Sequence, residues 1–226
     1  MLEAILFDLD GTLADTDSIH FAVWQDILVR FDLDIDRDFY RRRISGRTNS
    51  KIIKDIIPQL TLEDAWKLAT EKEETYRRVA NSLKPTSGLD KLLRLTDDVG
   101  IKKAVVTNAP EDNAIYMLEV LHLTDTFPTV VMAKDAPPGK PDPAPYELGL
   151  SRLGGVEANN AIAFEDSAAG IRSAVSAGIY TIGITSSHLA ENLINAGASM
   201  AIKDFNDPQL WQLLNSLTSD RIARTT

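Results

Sequence analysis

Six short apolar runs constrain this 226-residue chain more than anything else in it. Five of them, "AILFDLD" (4–10), "KKAVVTN" (102–108), "TVVMA" (129–133), "AIAFED" (161–166) and "YTIGIT" (180–185), are rich in β-branched or aromatic residues and are each followed by an amphipathic stretch; "MAIKDF" (200–205) reads as a sixth, edge strand. Strand and helix in alternation predict an α/β fold. The runs are continuously apolar, as strands are when helices cover both faces of a parallel sheet. The expected core is therefore a Rossmann-like parallel sheet, with ligands beyond the carboxyl ends of its strands.

About ninety residues separate the first run from the second, far more than one crossover helix needs. Within that gap "DSIHFAVWQDILVRF" (17–31), "RDFYRRRI" (37–44), "SKIIKDII" (50–57) and "TLEDAWKLATEKEETYRRVANSL" (61–83) carry apolar residues at helical spacing, with breaks at Gly46 and Pro58. Charge marks the same segment. Residues 17–84 are near neutral at net +1, whereas the remainder carries −10 of the total −9. The expected organisation is an α/β catalytic core of residues 1–16 and 85–226, with an all-helical cap domain at 17–84. Trp66 and Trp211 are expected in the core. No internal repeat or low-complexity tract interrupts the pattern.

Composition narrows the chemistry. An apolar content of 44% suffices for a buried core, and no segment approaches 18 consecutive apolar residues. The chain reaches Asp8 too soon for the apolar region of a signal peptide, so a cytoplasmic location is expected. A net charge of −9 argues against nucleic acid as a partner, and no membrane partner is expected. With no Cys and three His, metal chemistry must rely chiefly on oxygen ligands.

Unusual polar residues fall at the ends of the predicted strands, where they would converge on one crevice. Asp8 and Asp10, two residues apart in extended chain, point the same way, and Gly11 then frees the backbone to turn. A lone pair of this kind is usually a solvated turn. Glu165 and Asp166 precede a helix pattern that one of Asp166 and Ser167 caps, and the spare carboxylate at a buried sheet end is costly without a cation. Carboxylates from two strand ends without His or Cys make a hard-cation site, which Mg²⁺ fits best. Lys140 sits in "PPGKPDPAPYE", where prolines are expected to hold the loop extended and aim the ammonium. Thr107 and Asn108 are ready donors to an anion.

This constellation resembles the haloacid dehalogenase-like superfamily over nearly the whole chain, through "DLDGT", "VVTN", Lys140 of "GKPDP" and "FEDSAAGI". The helical insert is similar to a C1-type cap. "DTDSIHFAVW" is similar to the branch containing beta-phosphoglucomutase and sugar-phosphate phosphatases, and "AVVTNAPEDNA", "EKEETYRR" and "DPQLW" look most like the plant sugar phosphatases. The resemblance implies Asp8 as nucleophile and Asp10 as general acid/base. It implies Thr107 and Lys140 as phosphate ligands, and Asp166, Asp8 and the Asp10 carbonyl as magnesium ligands. Charge repulsion of roughly 4 kcal/mol per unit pair at 4 Å opposes attack by a carboxylate on a phosphate dianion, so Mg²⁺ and Lys140 must cancel it. The substrate class implied is a small phosphorylated metabolite handled by a monomer. A metal-free dehalogenase is disfavoured by Asp10 and the Glu165-Asp166 pair, and an inactive binding module by the intactness of all four motifs.

Selectivity is expected to lie in the cap. Thr16, His20, Gly46, Arg47, Asn49, Lys72 and Asn108 are the candidate substrate-binding residues. His20 either faces the interdomain crevice or packs beside Trp24. Lys72 matches a substrate-facing lysine of the mutase branch, or is a solvated helix charge. "SGRTNS" (45–50) looks like the specificity loop, with Arg47 unexplained by turn or capping chemistry. A mutase needs a second phosphate anchor, best an Arg. Asn49 stands where the mutase branch has it, which favours a phosphatase over a beta-phosphoglucomutase.

Overall fold

The computed structural model describes residues 1–81 and 83–225. All six apolar runs form strands: β1 (Ala4–Phe7), β2 (Lys102–Val106), β3 (Thr129–Val131), β4 (Ala161–Glu165), β5 (Tyr180–Ile184) and β6 (Met200–Ile202). They make one parallel sheet in the order β3-β2-β1-β4-β5-β6, so β6 is an edge strand. From β1 the chain winds one way through β2 and β3, then returns to β4 on the other side. The crevice at this switch point, beyond the carboxyl ends of β1 and β4, is where such sheets bind ligands.

Alternate residues of β1 feed two different layers, as the period of a strand requires. Ile5 and Phe7 pack with Leu92, Met117, Phe205 and Leu214, from α5 (Leu89–Asp98), α6 (Glu111–Val120), the Phe205 loop and α10 (Pro208–Thr225). Ala4 and Leu6 pack with Tyr146, Leu150 and Ala174, from α7 (Ala144–Arg152) and α8 (Ala168–Ser176). Phe7 and Phe164 stack at 5.4 Å, and Phe205 closes edge-on against both rings. Helix α9 (Ala190–Asn195) covers β5 and β6 through Leu193.

Between β1 and α5 lie α1 (Asp17–Val29), α2 (Arg37–Arg43), α3 (Asn49–Ile56) and α4 (Leu62–Val79), with no strand among the described residues. Asp36 and Thr61 cap α2 and α4 by accepting the Phe39 and Asp64 N–H groups. These helices bury their own cluster, including Val23, Trp24, Leu28, Tyr40, Ile52 and Leu68. The far end of α4 belongs to the other core, because Tyr76 and Ala80 pack with the Ile5 and Phe7 layer.

Three details differ from expectation. Helix α1 stops at Val29 rather than 31, where the chain turns through Asp32 at φ 59°. Helix α4 stops at Val79 rather than 83, and Ser82 lies outside the described residues. Trp66 is not core. Its α4 position is 69% exposed, because the inward stripe runs through Leu68, Lys72 and Tyr76. Trp211 does pack partly on the core, its Nε1–H bonded to the Phe205 carbonyl at 2.8 Å. No helix among the described residues is long and apolar enough to cross a membrane.

Helix α7 sits so close to the sheet that a Cβ on Gly149 would lie 2.8 Å from Leu6 Cδ2 and 3.1 Å from Val106 Cγ2. Gly149→Val forces a branched side chain into that contact and is expected to cost about 1–3 kcal/mol. Urea unfolding checks this: the midpoint falls, and an unchanged midpoint contradicts the packing described.

Candidate active site

Phe7 is in register with Phe164 and with Val105, which brings Asp8 to the level of Glu165 at the carboxyl edge of the sheet. The Asp8 N–H donates to the Phe164 carbonyl at 2.9 Å. Lys140 enters from the loop before α7 and is buried. Its Nζ donates to Asp8 Oδ1 at 2.5 Å, to the Val106 carbonyl at 2.7 Å and to Glu165 Oε1, spending all three protons. Burial opposes its charge, but Asp8 and Glu165 outweigh it and hold the Lys140 pKa above its ordinary value.

The loop carrying Lys140 is a series of turns rather than the extended chain expected from its prolines. Gly139 N–H bonds to Ala136 and Asp142 N–H to Gly139. Asn108 clamps it. Its Oδ1 accepts the Lys140 N–H at 3.0 Å and its Nδ2 donates to the Lys140 carbonyl at 3.2 Å. Asn108 is therefore not a free anion donor; it aims Lys140. A Cβ on Gly139, which has φ 76°, would lie 2.9 Å from Asn108 Oδ1. Thr107 is buried, and its hydroxyl oxygen accepts the Ala109 N–H at 3.0 Å.

Carboxylate oxygens of Asp8, Glu165 and Asp166 all lie within 4.8 Å of one another, and all three residues are buried. Ser167, not Asp166, caps α8 by accepting the Gly170 N–H at 3.0 Å, which leaves the Asp166 carboxylate for other work. Glycines make the cluster possible: a Cβ on Gly11 would lie 2.2 Å from Asp166 Oδ2, and one on Gly170 would lie 2.0 Å from Glu165. Burial and Glu165 push Asp8 up to about 8 against the pull of Lys140. Burial, Asp8 and Glu165 push Asp166 well above the carboxylate range. Three buried carboxylates share one ammonium, so the cluster lacks positive charge. All its donors are hard oxygens, and a divalent cation of the Mg²⁺ kind fits it. Asp8 and Asp166 could hold it. Glu165 lends charge, but its Oε1 is committed to Lys140 and to the Tyr146 hydroxyl at 2.8 Å.

The Asp10 side chain is committed elsewhere and is not part of this cluster. Its Oδ1 accepts from the Thr16 hydroxyl at 2.9 Å and lies 3.1 Å from His20 Nε2. Thr16 is thus buried against Asp10 rather than available to a substrate. Lys72, buried on α4, donates to His20 Nδ1 at 2.9 Å. That bond makes Nδ1 an acceptor and so places the ring proton on Nε2, facing Asp10. Burial works against ionisation of Asp10, but the His20 and Thr16 bonds and nearby Lys72 lower its pKa overall. His20 therefore faces the crevice, and its ring stacks on Tyr76 at 4.2 Å.

The 45–50 loop divides. At Gly46, with φ 72°, a Cβ would lie 3.2 Å from Ser167 Cβ, so the insert and the sheet domain meet there. Arg47 is explained locally: it donates to Asp55 at 2.9 Å and to the Arg43 carbonyl at 2.6 Å. Asn49 bonds to Glu73 rather than standing free. Glu73 also accepts from Lys72 at 3.0 Å and from Asn113 of α6, whose own oxygen accepts from Arg77 at 2.6 Å. Burial opposes its charge, yet Lys72 and these bonds bring the Glu73 pKa down. Gly46, Arg47, Asn49, Lys72, Glu73 and Asn113 face Asp8, Asp10 and Lys140 across a cavity of about 170 Å³ between the insert and the sheet edge.

Several participants escaped the sequence. Tyr146, in the first turn of α7, donates its hydroxyl to Glu165 and carried no distinguishing sequence signal. Ser187 donates to Asp166 Oδ2 at 2.6 Å and lies 2.7 Å from His188 Nδ1. "TSSH" after β5 was itself a polar strand end, the same signal that exposed the others. Glu73 and Asn113 carried no local signal, being 40 residues apart.

The family model described as haloacid dehalogenase-like hydrolase matches residues 5–184. The chain is 31% identical over 206 residues to a phosphorylated carbohydrates phosphatase of Thermotoga maritima, covering 89% of this chain and 94% of the relative. It is 31% identical over 209 residues to a validoxylamine A 7'-phosphate phosphatase of Streptomyces hygroscopicus, covering 92% and 96%. Among solved structures, a beta-phosphoglucomutase from Clostridium difficile superposes with a TM-score of 0.84 at 25% identity, covering 99% of this chain and all of that one. Fold, site and matched span agree, and the chain belongs to the haloacid dehalogenase-like hydrolase family.

Proposed function

We propose that this chain is a Mg²⁺-dependent phosphatase of small sugar-phosphate monoesters that passes through an aspartyl-phosphate on Asp8. The observation that carries the reading is the meeting of Asp8, Lys140 and Asp166 in one buried cluster, with Asp10 held beside it. Similarity to a phosphorylated carbohydrates phosphatase and a validoxylamine A 7'-phosphate phosphatase supports the substrate class. Residues 1–16 and 85–226 act as the catalytic core, and 17–84 as a cap that opens to admit substrate and closes to exclude water.

Asp8 attacks phosphorus, and the bond from phosphorus to the ester oxygen breaks. Lys140 draws the Asp8 pKa down against burial and Glu165, and its charge draws the phosphoryl oxygens in. Asp10 gives a proton to the departing alkoxide, then takes one from the water that attacks the aspartyl-phosphate and releases inorganic phosphate. His20 and Thr16 aim Asp10, and the arriving phosphate dianion, being like-charged, favours its protonated form. Asp8 and Asp166 with the Asp10 carbonyl would hold the Mg²⁺. The ion would supply Lewis-acid charge for the transferring phosphoryl group.

Similarity to a beta-phosphoglucomutase raises a second reading, isomerisation. Against it, Arg47 is paired with Asp55 and Asn49 with Glu73, so neither stands free to anchor a second phosphate. A panel of phosphorylated metabolites with Mg²⁺ decides, following phosphate release and, in parallel, glucose 6-phosphate formed from beta-glucose 1-phosphate. Phosphate release is expected. Efficient isomerisation with little phosphate freed would reverse the assignment.

Asp8→Asn is expected to abolish turnover with folding intact, and Asp10→Asn to slow it by about 10²–10⁴. More than trace activity in Asp8→Asn removes the nucleophile assignment. Chelation of divalent metal should stop the reaction and added Mg²⁺ restore it; indifference to chelator counts against the metal site. Nitrogen-15 NMR should show His20 with its proton on Nε2. In Lys72→Met that tautomer preference should weaken, and a wild-type ring protonated on Nδ1 alone would contradict the bond order described.

A further inference from the structure

Five carboxylates line the crevice, those of Asp8, Asp10, Asp17, Glu73 and Asp166, against three cationic side chains, Arg47, Lys72 and Lys140. Each of the three cations is already spent on a carboxylate: Lys140 on Asp8 and Glu165, Lys72 on Glu73, and Arg47 on Asp55. A divalent ion, when bound, and Lys140 would serve the transferring phosphoryl group. Among the described lining residues no unpaired cationic side chain is then left for a second anion on the substrate.

Glu73 is the decisive member. Lys72 is the cap cation nearest the reaction, since its Nζ donates to His20, which bonds Asp10. Left alone, that ammonium would attract an anionic group on the far part of a substrate. Glu73 takes it instead, at 3.0 Å. The carboxylate cannot swing aside to release it, because Asn49 of α3 grips Oε1 and Asn113 of α6 grips Oε2, with Asn113 itself held by Arg77. What the wall offers a ligand is a neutral ion pair and amides, which suit hydroxyl groups. A second phosphate or a carboxylate would meet Glu73 and gain no counter-charge.

We infer that Glu73 is a specificity-determining residue: by neutralising Lys72 it confines the site to phosphate esters whose remaining portion carries hydroxyls and no second anionic group. This rests on the phosphatase reading above.

The test uses three substrates with one carbon skeleton and different far ends: glucitol 6-phosphate, 6-phosphogluconate and glucitol 1,6-bisphosphate. The wild type is expected to favour the neutral far end in kcat/KM by about tenfold or more. In Glu73→Gln, which keeps size and an acceptor oxygen but frees the Lys72 charge, that preference should shrink by about tenfold. Adding Lys72→Met should restore it, which loss of packing alone would not do. Equal wild-type efficiency on all three substrates overturns the inference even if Glu73→Gln fails to fold. An unchanged preference in Glu73→Gln, or a gain that survives Lys72→Met, overturns it too. A protein that releases phosphate neither from these three nor from the metabolite panel overturns the phosphatase reading first, and this inference with it; release only from panel members that carry a second anionic group overturns this inference and leaves the phosphatase reading standing.

Discussion

The ammonium of Lys140 is the contact on which the rest of this site depends. Two carboxylates buried at the junction of β1 and β4 carry a desolvation cost that each ion could relieve by protonating. Lys140 touches both and meets the carbonyl of Val106 with its third proton. Its placement is secured from outside. Asn108 holds its backbone on both sides, and Gly139 has no side chain to obstruct Asn108. Tyr146 orients Glu165, and the bareness of Gly170 leaves Glu165 room. Even so, one ammonium does not balance Asp8, Glu165 and Asp166, and burial together with this deficit raises the pKa values of Asp8 and Asp166.

The insert is tied to this arrangement by two kinds of force that meet on α4. Its apolar stripe divides between cores: Leu68 joins the helical cluster, while Tyr76 and Ala80 join the layer under β1. Its polar positions form a continuous chain from Asp10 through His20, Lys72 and Glu73 to Asn113. Every bond in that chain crosses between elements except Lys72 to Glu73. A shift of the insert relative to the sheet therefore disturbs Asp10, beside the proposed nucleophile Asp8, as well as the crevice wall.

Sequence made the sheet legible because physical necessity leaves few choices there. A parallel strand covered on both faces must be apolar throughout, so the point where polarity begins marks its carboxyl end. Asp8, Thr107 and Asp166 lie just beyond such ends, and Glu165 is the last residue of β4. The inner logic of the site was harder to read, because it is made of contacts between distant residues. Asn108 looked like an anion donor until Lys140, 32 positions on, claimed both ends of its amide. Arg47 looked unassigned because Asp55 reaches it only after the loop and α3 have folded. Trp66 was misjudged for another reason. Aromatic character alone does not say which face of a helix a residue occupies, and the stripe through Leu68, Lys72 and Tyr76 contains two polar or amphipathic members that blur the pattern.

Chemistry and selectivity are thus separated by the kind of constraint each obeys. The core residues are fixed by the sheet register and by glycines at positions where no Cβ fits, so almost any change there disturbs the charge balance at Asp8. Asn49, Lys72 and Glu73 stand on helices whose packing does not depend on their charges, since the buried cluster of the insert is formed by other positions. Their polar identities can change while the insert keeps its core. In the proposed reaction a wall of this construction selects the leaving group, while the attack on phosphorus falls to residues that wall does not touch, except through the link from Lys72 to His20 to Asp10.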